Sequence, residues 1–277
     1  SPNQSPTGLS LETKAGLKLI KPVLELKNVS TYYPGKQSYF KKQKFNQANY
    51  NINLKLRPGE IHAIVGESGS GKSTLGNTIV GLVDDFEGEF IFQGSNYNPR
   101  IMSDLRSEIQ IIFQDSLSSL NPRMKIGTAI IDVIKHHHPN TDVTERMDEL
   151  FFKVNLSIIT AGKYPHELSG GQRQRACIAR ALAVEPKILI CDEIVSALDV
   201  SVQAKILNLL LRLVEEDHLA ILFTTHDLHV VESFAHHVVV MKDGKIVEKG
   251  VTKDIFTNPQ NAYTKTLLQS IPEKVNS

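Results

Sequence analysis

The chain has almost no net charge, few cysteines and no long apolar run. Its 31 lysine and arginine residues nearly balance 30 aspartate and glutamate residues, which gives a formal net charge of +1. No overall field therefore attracts nucleic acid or an anionic membrane. No apolar run approaches the ~18 residues of a membrane span, and no segment is typical of a signal peptide. We expect a chain that is soluble, or peripheral to a membrane through a partner.

The two cysteines are Cys177 and Cys191. Each lies in an apolar run, one with helical periodicity and one typical of a strand. This placement favours two buried thiols in a reducing compartment over a disulfide or a metal site.

The length of 277 residues suits one large domain with a subdomain. Residues 1–22 are polar, contain proline and glycine and do not begin with Met. We expect them to be a flexible arm or linker, cut from a larger protein or left by a tag. Residues 23–272 are expected to form the domain and residues 273–277 a tail.

Strand patterns alternate with helical patterns through the middle of the chain. Apolar runs such as IHAIV and KILIC are typical of buried strands, and SVQAKILNLLLRLVEEDH is typical of an amphipathic helix. Residues 34–47 are expected to be a loop, and residues 116–170 helical and irregular. The next helix is expected to stop at Pro186, and Asp243-Gly244 to form a hairpin turn. This order predicts an α/β fold with a mainly parallel sheet covered on both faces.

The stretch GESGSGKST, residues 66–74, matches G-x-x-x-x-G-K-[ST] between a buried strand and a helix. Such a loop points several backbone N–H groups at one anion, and the following helix adds its positive end. Lys72 is expected to reach the β- and γ-phosphates, Ser73 to bind Mg²⁺ and Thr74 to hold the α-phosphate. The other expected phosphate-binding residues are Gly66, Ser68, Gly69, Ser70 and Gly71. Alone, the loop allows a kinase, a GTPase or any other P-loop NTPase.

Two carboxylates, Asp192 and Glu193, end the apolar run ILICDE. Such a pair at the end of a buried strand is costly unless a cation or protons meet it. Beside a phosphate loop, Asp192 is expected to hold Mg²⁺ through water, and Glu193 to orient or deprotonate the attacking water.

A second glycine-rich stretch, LSGGQ at residues 168–172, opens a helix. Because glycine lowers helix propensity, we interpret the pair as room for a group that approaches the backbone closely. Ser169 offers a hydroxyl, and Gly170 and Gly171 expose N–H groups at a helix N-terminus, which together make a second anion site. The alternative is a glycine-rich loop with a capping serine.

Together these motifs resemble those of the ATP-binding cassette (ABC) ATPases. GESGSGKST resembles their Walker A loop, ILICDE their Walker B strand and LSGGQ their signature sequence. Gln114 in IIFQD is similar to the Q-loop glutamine, SALD at residues 196–199 to the D-loop, and His226 in TTHD to the switch histidine. Tyr33 lies where the family places an aromatic ring that stacks on adenine. The resemblance covers residues 23–272.

The resemblance implies a RecA-like P-loop core, an N-terminal antiparallel β-subdomain and a helical subdomain at about residues 116–175. It implies ATP and Mg²⁺ as cofactors, with Ser73, Gln114 and Asp192 serving the metal ion. Glu193 would be the general base, and His226 would position the γ-phosphate and water. In this family two cassettes pack head to tail across the nucleotide. The residues implied to act at that interface are Ser169, Gly170, Gly171, Gln172 and Asp199.

Three segments resemble the oligopeptide/dipeptide importer branch of the family: SLNPRM, SALDVSVQAKILNLL and NPQNAYTKTLLQSIP. That branch also includes nickel, glutathione and antimicrobial-peptide-related systems. In DEIVSALD, Ile194 replaces the usual proline, which removes no catalytic group, so we expect activity to survive. Residues 34–47 also depart from the branch. Some members carry two cassettes in one chain, and the linker-like start would suit the second half of such a fusion.

The resemblance therefore implies the motor of an importer of peptides or similar solutes, peripheral on the cytoplasmic face of a bacterial membrane. Its partners would be transmembrane permease subunits docked around residues 116–126, a second cassette (identical, homologous or fused) and, indirectly, a solute-binding protein. No nucleic-acid partner is expected. A soluble ABC ATPase acting on ribosomes or DNA, and an exporter motor, remain the alternatives.

Two basic features are expected to carry no separate function. The HHH run at residues 136–138 is expected to be a surface loop, because consecutive side chains point in different directions and no further ligand is suitably spaced. Arg173, Arg175 and Arg180 are expected to be exposed or ion-paired on the helix after LSGGQ rather than to contact nucleic acid.

Overall fold

The computed structural model describes residues 21–34, 45–101 and 105–270. The expectations for the arm before residue 21, for residues 35–44 of the loop at 34–47 and for the tail at 273–277 fall outside these residues. The described ends of that loop were wrongly predicted, because Pro34 and residues 45–47 belong to strands.

The described part of the chain contains ten strands. In chain order they are β1 (Leu24–Pro34), β2 (Phe45–Leu56), β3 (Ile61–Val65), β4 (Phe86–Phe92), β5 (Ser95–Tyr97), β6 (Ile109–Ile112), β7 (Ile188–Asp192), β8 (Ala220–Thr225), β9 (His237–Lys242) and β10 (Lys245–Val251).

The larger sheet has six strands in the order β10-β9-β3-β8-β7-β6. The strands from β9 to β6 pair in parallel, and β10 pairs antiparallel at one edge. All residues of β3, β7 and β8 are buried, as expected for parallel strands covered on both faces. The smaller sheet, in the order β2-β1-β4-β5, is antiparallel throughout.

Eight α-helices lie in the same described ranges. They are α1 (Lys72–Ile79), α2 (Ile126–His137), α3 (Val143–Lys153), α4 (Gly170–Leu182), α5 (Val200–Asp217), α6 (Leu228–Phe234), α7 (Thr252–Thr257) and α8 (Ala262–Gln269). Short 3₁₀ helices span Pro99–Ile101, Ile158–Gly162 and Pro165–Glu167. None of the helices in the described residues is long and apolar enough to cross a membrane.

The core is divided by the larger sheet. On one face, α1 is sandwiched between the two sheets through Leu75 and Ile79, which are fully buried. On the other face, α2, α3, α4 and α5 share one cluster with β7 and β8. In α5 the buried positions Ile206, Leu209 and Leu213 follow the predicted helical spacing. The predicted α/β fold, with a mainly parallel sheet, an N-terminal antiparallel sheet and a helical region before α4, is confirmed.

Two local predictions are wrong. Helix α4 ends at Leu182, not at Pro186, because Glu185 must leave the helical conformation before a proline and adopts φ 56°. The histidine run is not a loop. His136 and His137 form the last turn of α2 and are exposed, a position that favours basic side chains. The predicted burial of both free cysteines is confirmed.

Candidate functional site

The predicted phosphate loop joins β3 to α1, and its backbone shape needs glycine. Gly71 caps α1 with φ 99°, a conformation that residues with a Cβ rarely adopt. A Cβ at this position would lie 2.6 Å from Asn49 Nδ2 and 2.8 Å from the Ala48 carbonyl oxygen. Asn49 also donates a hydrogen bond of 3.0 Å to the Gly71 carbonyl. Strand β2 therefore braces the loop from outside the motif.

Lys72 lies under the loop rather than in solvent. Its Nζ donates to the carbonyls of Gly66 at 2.8 Å and of Glu67 at 3.0 Å. These two bonds leave one of the three ammonium donors for an anion. Burial lowers the pKa of Lys72, and the charges of Glu193 and Asp192 oppose that shift.

Asp192 is held between the loop and the neighbouring strand. Ser73 Oγ donates to Asp192 Oδ1 at 2.8 Å, and Thr224 Oγ1 donates to the same oxygen at 2.5 Å. The register of β7 and β8 places Asp192 beside Thr224. Sequence reasoning missed Thr224, although it is the first threonine of the quoted TTHD. A hydroxyl and a carboxylate oxygen at this distance are the hard ligands that Mg²⁺ prefers, so the pair fits the ion.

Glu193 is fixed by its backbone. It adopts φ 49°, which costs about 1–2 kcal/mol for a residue with a Cβ. Its N–H donates to Thr224 O and Oγ1, both at 3.1 Å. Glu193 Oε2 lies 3.3 Å from Nδ1 of the exposed His226. Gln114 Nε2 donates to Ser196 Oγ at 3.3 Å, and that hydroxyl donates to the Glu193 carbonyl at 2.8 Å.

Several of these groups line a cleft of about 570 Å³, whereas the predicted residues Gly66, Ser70, Asp192 and His226 lie beside it and not in its wall. The predicted residues that line it are Ser68, Gly69, Gly71, Lys72, Ser73, Thr74, Gln114 and Glu193. Sequence reasoning missed the rest of its wall, which is Gln47, Ala48, Tyr50, Asp243 and Gly244. Tyr50 supplies an aromatic ring to this wall, whereas Tyr33 is exposed on β1 and does not line the cleft.

The LSGGQ stretch lies away from this cleft. Ser169 and Gln172 form a capping box: Ser169 Oγ accepts from the Gln172 N–H at 3.3 Å, and Gln172 Oε1 accepts from the Ser169 N–H at 3.1 Å. The capping alternative therefore describes this serine in the single chain. Its hydroxyl proton stays free to donate, since a hydroxyl both donates and accepts.

The glycine pair has a cause inside the chain. A Cβ on Gly171 would clash with Val202 Cγ1, and a Cβ on Gly170 would lie 3.3 Å from Leu198 Cδ2. Close approach to this backbone is therefore already made by α5 and the turn before it. Asp199 caps α5 by accepting from the Val202 N–H at 2.9 Å. The bond from the Val202 N–H, and next the bond from the Ser201 hydroxyl, lower the pKa of Asp199.

The arginines of α4 are partly buried and form no ion pair with the described residues, contrary to the prediction that they are exposed or ion-paired. Arg173 donates to the Leu168 carbonyl at 2.5 Å, Arg175 to the Val154 carbonyl at 2.8 Å and Arg180 to the Ser119 carbonyl at 2.6 Å. Each guanidinium thus satisfies a carbonyl in a turn or loop, where no helix or sheet partner is present.

Comparisons with known proteins agree with this geometry. The family described as ABC transporter matches residues 50–196, and the family described as oligopeptide/dipeptide transporter, C-terminal region, matches residues 247–277. The chain is 45% identical over 258 residues to the glutathione import ATP-binding protein GsiA of Escherichia coli K12, and equally to that of Shigella sonnei. The match covers 91% of this chain and 41% of each relative, so the chain spans less than half of their length.

Solved structures give the same result. One is cbiO1 of Clostridium perfringens, part of the ABC transporter complex cbiONQ, with a TM-score of 0.74 and 28% identity over 86% of this chain and 92% of that one. Another is the dimeric ATP-binding cassette MJ0796 bound to ADP and Pi, with a TM-score of 0.72 and 31% identity over 83% of this chain and 98% of that one. The chain therefore belongs to the ABC transporter family, as an ATP-binding cassette that carries the C-terminal region of the oligopeptide/dipeptide branch.

Proposed function

We propose that this cassette hydrolyses ATP to drive the import of peptides or similar small solutes. The observation that carries the ATPase is the convergence of Ser73, Asp192 and Glu193 at one end of the larger sheet, beside the phosphate loop. The importer assignment is supported by the match of residues 247–277 to the oligopeptide/dipeptide transporter region.

The residues divide the work by position. The loop N–H groups and the free donor of Lys72 bind the phosphates. Ser73 and Asp192, with Gln114, would hold Mg²⁺, which when bound neutralises charge on the phosphates. Glu193 takes a proton from the attacking water. His226, 3.3 Å from Glu193, positions that water and the γ-phosphate, and Thr224 keeps Asp192 aligned.

The complete site takes a second cassette. Asp199 and residues 168–172, all within the described ranges, do not line the cleft. Ser169, which is exposed, and the N–H groups of Gly170 and Gly171 lie at the start of α4 and would bind a nucleotide on another cassette. The dimeric neighbour with 31% identity supports such a pair. The partner would be identical, homologous or fused to this chain.

The remaining partners follow from the branch. We place the chain on the cytoplasmic face of a bacterial membrane, on permease subunits that meet the surface at residues 116–126. A solute-binding protein would act indirectly through the permease. A net charge of +1 gives no overall attraction for nucleic acid, and we propose no nucleic-acid partner. Co-purification of two membrane proteins with this chain would support this assignment, whereas co-sedimentation with ribosomes would favour the soluble alternative.

Glu193→Gln tests the ATPase and the pairing together. The variant should bind Mg·ATP, lose hydrolysis and shift from the mass of one chain to that of two when Mg·ATP is added. Glu216→Gln, on the exposed side of α5, is the matched control and should hydrolyse ATP like the parent. A Glu193→Gln variant that still hydrolyses ATP would contradict the proposal. ATP binding without a change of mass would instead indicate that the partner cassette is a different one.

A further inference from the structure

A cluster of two imidazoles and one carboxylate lies at the far end of β3 from the phosphate loop. Among the residues that the structure describes, Glu60, His62 and His237 offer one ligand atom each within 4.8 Å of one another. Glu60 and His62 are two residues apart, so they project to the same side of the strand. His237, the first residue of β9, pairs directly with His62 in parallel register.

The three side chains already touch. His62 Nε2 lies 2.8 Å from Glu60 Oε2, and His237 Nε2 lies 3.8 Å from Glu60 Oε1. The two imidazole rings are 4.6 Å apart between centroids. Ligands about 2.0–2.2 Å from a tetrahedral Zn²⁺ lie about 3.3–3.5 Å from each other. The two distances to Glu60, 2.8 and 3.8 Å, lie on either side of that spacing, and all three ligand atoms lie within 4.8 Å of one another.

A second observation points to a missing ligand. His62 is 6% exposed, and its Nδ1 has no hydrogen-bond partner. A buried polar atom without a partner costs about 1–3 kcal/mol. Both histidines line a cavity of about 540 Å³ between the two sheets. If the His62 ring rotated toward an ion in this pocket, one ring nitrogen could bind the ion and the other could form a hydrogen bond with a polar neighbour.

We propose that Glu60, His62 and His237 form a binding site for a divalent transition-metal cation, with Zn²⁺ as its probe. Two histidines and one carboxylate are a typical donor set for Zn²⁺, with a water in the fourth position. The site is separate from the nucleotide cleft. Four residues of extended chain, or about 13 Å, separate His62 from Gly66.

One cation already competes for the carboxylate. Arg57 Nη1 lies 3.6 Å from Glu60 Oε1, and 29% of the Arg57 side chain is exposed. A distance of 3.6 Å is long for an ion pair, and the partly exposed guanidinium of Arg57 could rotate toward solvent. Removing this charge should therefore strengthen metal binding, a result that a purely structural cluster would not give.

Calorimetric titration of the whole chain with Zn²⁺, in excess Mg²⁺ to fill the oxygen-ligand site at Asp192, tests the proposal. We expect one Zn²⁺ per chain in the parent. His62→Gln and His237→Gln should each weaken binding by about tenfold or more, and Arg57→Gln should strengthen it by about threefold to tenfold. The double variant His136→Gln, His137→Gln removes the exposed histidines of α2 and should leave the affinity unchanged.

Substitution with Co²⁺ keeps the test independent of how well the variants fold. In the parent, Co²⁺ bound by two imidazoles and a carboxylate should give visible absorption of four- or five-coordinate cobalt, and Zn²⁺ should displace it. The proposal is overturned if no stoichiometric binding occurs. It is equally overturned if the double variant of the α2 histidines loses binding while His62→Gln and His237→Gln both retain it.

Discussion

Gly171, in the first turn of α4, packs directly against the side chain of Val202, in the first turn of α5. The contact leaves no room for a Cβ, which would clash with Val202 Cγ1. The start of the signature helix is therefore fitted to the helix that Asp199 caps. The two segments that the family resemblance assigns to the cassette interface are in contact within a single chain.

Gly171→Ala should destabilise the fold despite the better helix propensity of alanine. The inserted methyl group must displace Val202, and such overpacking costs about 1–3 kcal/mol of unfolding free energy. Gly170→Ala is the matched control, because the nearest atom is the mobile end of Leu198 at 3.3 Å and the helix gains up to about 1 kcal/mol. Urea denaturation measures both. Equal midpoints for the two variants would contradict the packing argument.

Thr224→Val should slow ATP hydrolysis while ATP still binds. The change keeps the shape but removes the hydroxyl that donates to Asp192 and accepts from the Glu193 N–H. We expect kcat to fall by about tenfold or more, with a smaller change in ATP affinity. Thr225→Val removes a neighbouring buried hydroxyl that accepts only from the Asp227 N–H. If kcat falls by the same factor in both variants, the hydrogen bonds of Thr224 to Asp192 and Glu193 are not the cause.

Both cysteines should resist alkylation in the folded protein at pH 8. Burial raises the pKa of the Cys177 thiol to about 11, and burial also raises the pKa of Cys191, which is fully buried. With a pKa near 11, only about one thiol in a thousand is the reactive thiolate at pH 8. A thiol-reactive dye should modify neither residue quickly, and both in guanidinium. Fast modification of the native chain would show that one site opens.

Arg180→Gln should loosen the segment that follows Gln114. The variant loses the 2.6 Å bond to the Ser119 carbonyl, equivalent to about 0.5–1.5 kcal/mol and to a 2- to 10-fold faster local hydrogen exchange. Amide exchange of residues 117–121 measures the effect. Arg146→Gln, which breaks only ion pairs to exposed carboxylates, is the control and should change little. If amide exchange of residues 117–121 is unchanged in both variants, Arg180 does not stabilise this segment.

The sequence predicted the parts whose cause is local. The motif that joins β3, the phosphate loop and α1 consists of consecutive residues, as does the motif that ends in Asp192 and Glu193. The structure brings Ser73, Asp192 and Glu193 together, as the two motifs indicated. Tyr50, Gly244 and Thr224 were missed because they come from distant parts of the chain, namely β2, the turn between β9 and β10, and β8. Only the tertiary fold brings Tyr50 and Gly244 to the cleft and Thr224 to Asp192. The packing of Gly171 against Val202 was not predicted, since Val202 is 31 positions away and no local pattern links the two.

Within the described residues, the three arginines of α4 donate hydrogen bonds to main-chain carbonyls and to no side chain. Every residue type has a main-chain carbonyl, so these hydrogen bonds should persist after substitution of Ser119, Val154 or Leu168 if the backbone conformation is unchanged. The reverse does not hold, because lysine lacks the planar fork of donors that a guanidinium offers. The residues that supply the carbonyls should therefore tolerate many substitutions, whereas the arginines of α4 should tolerate few.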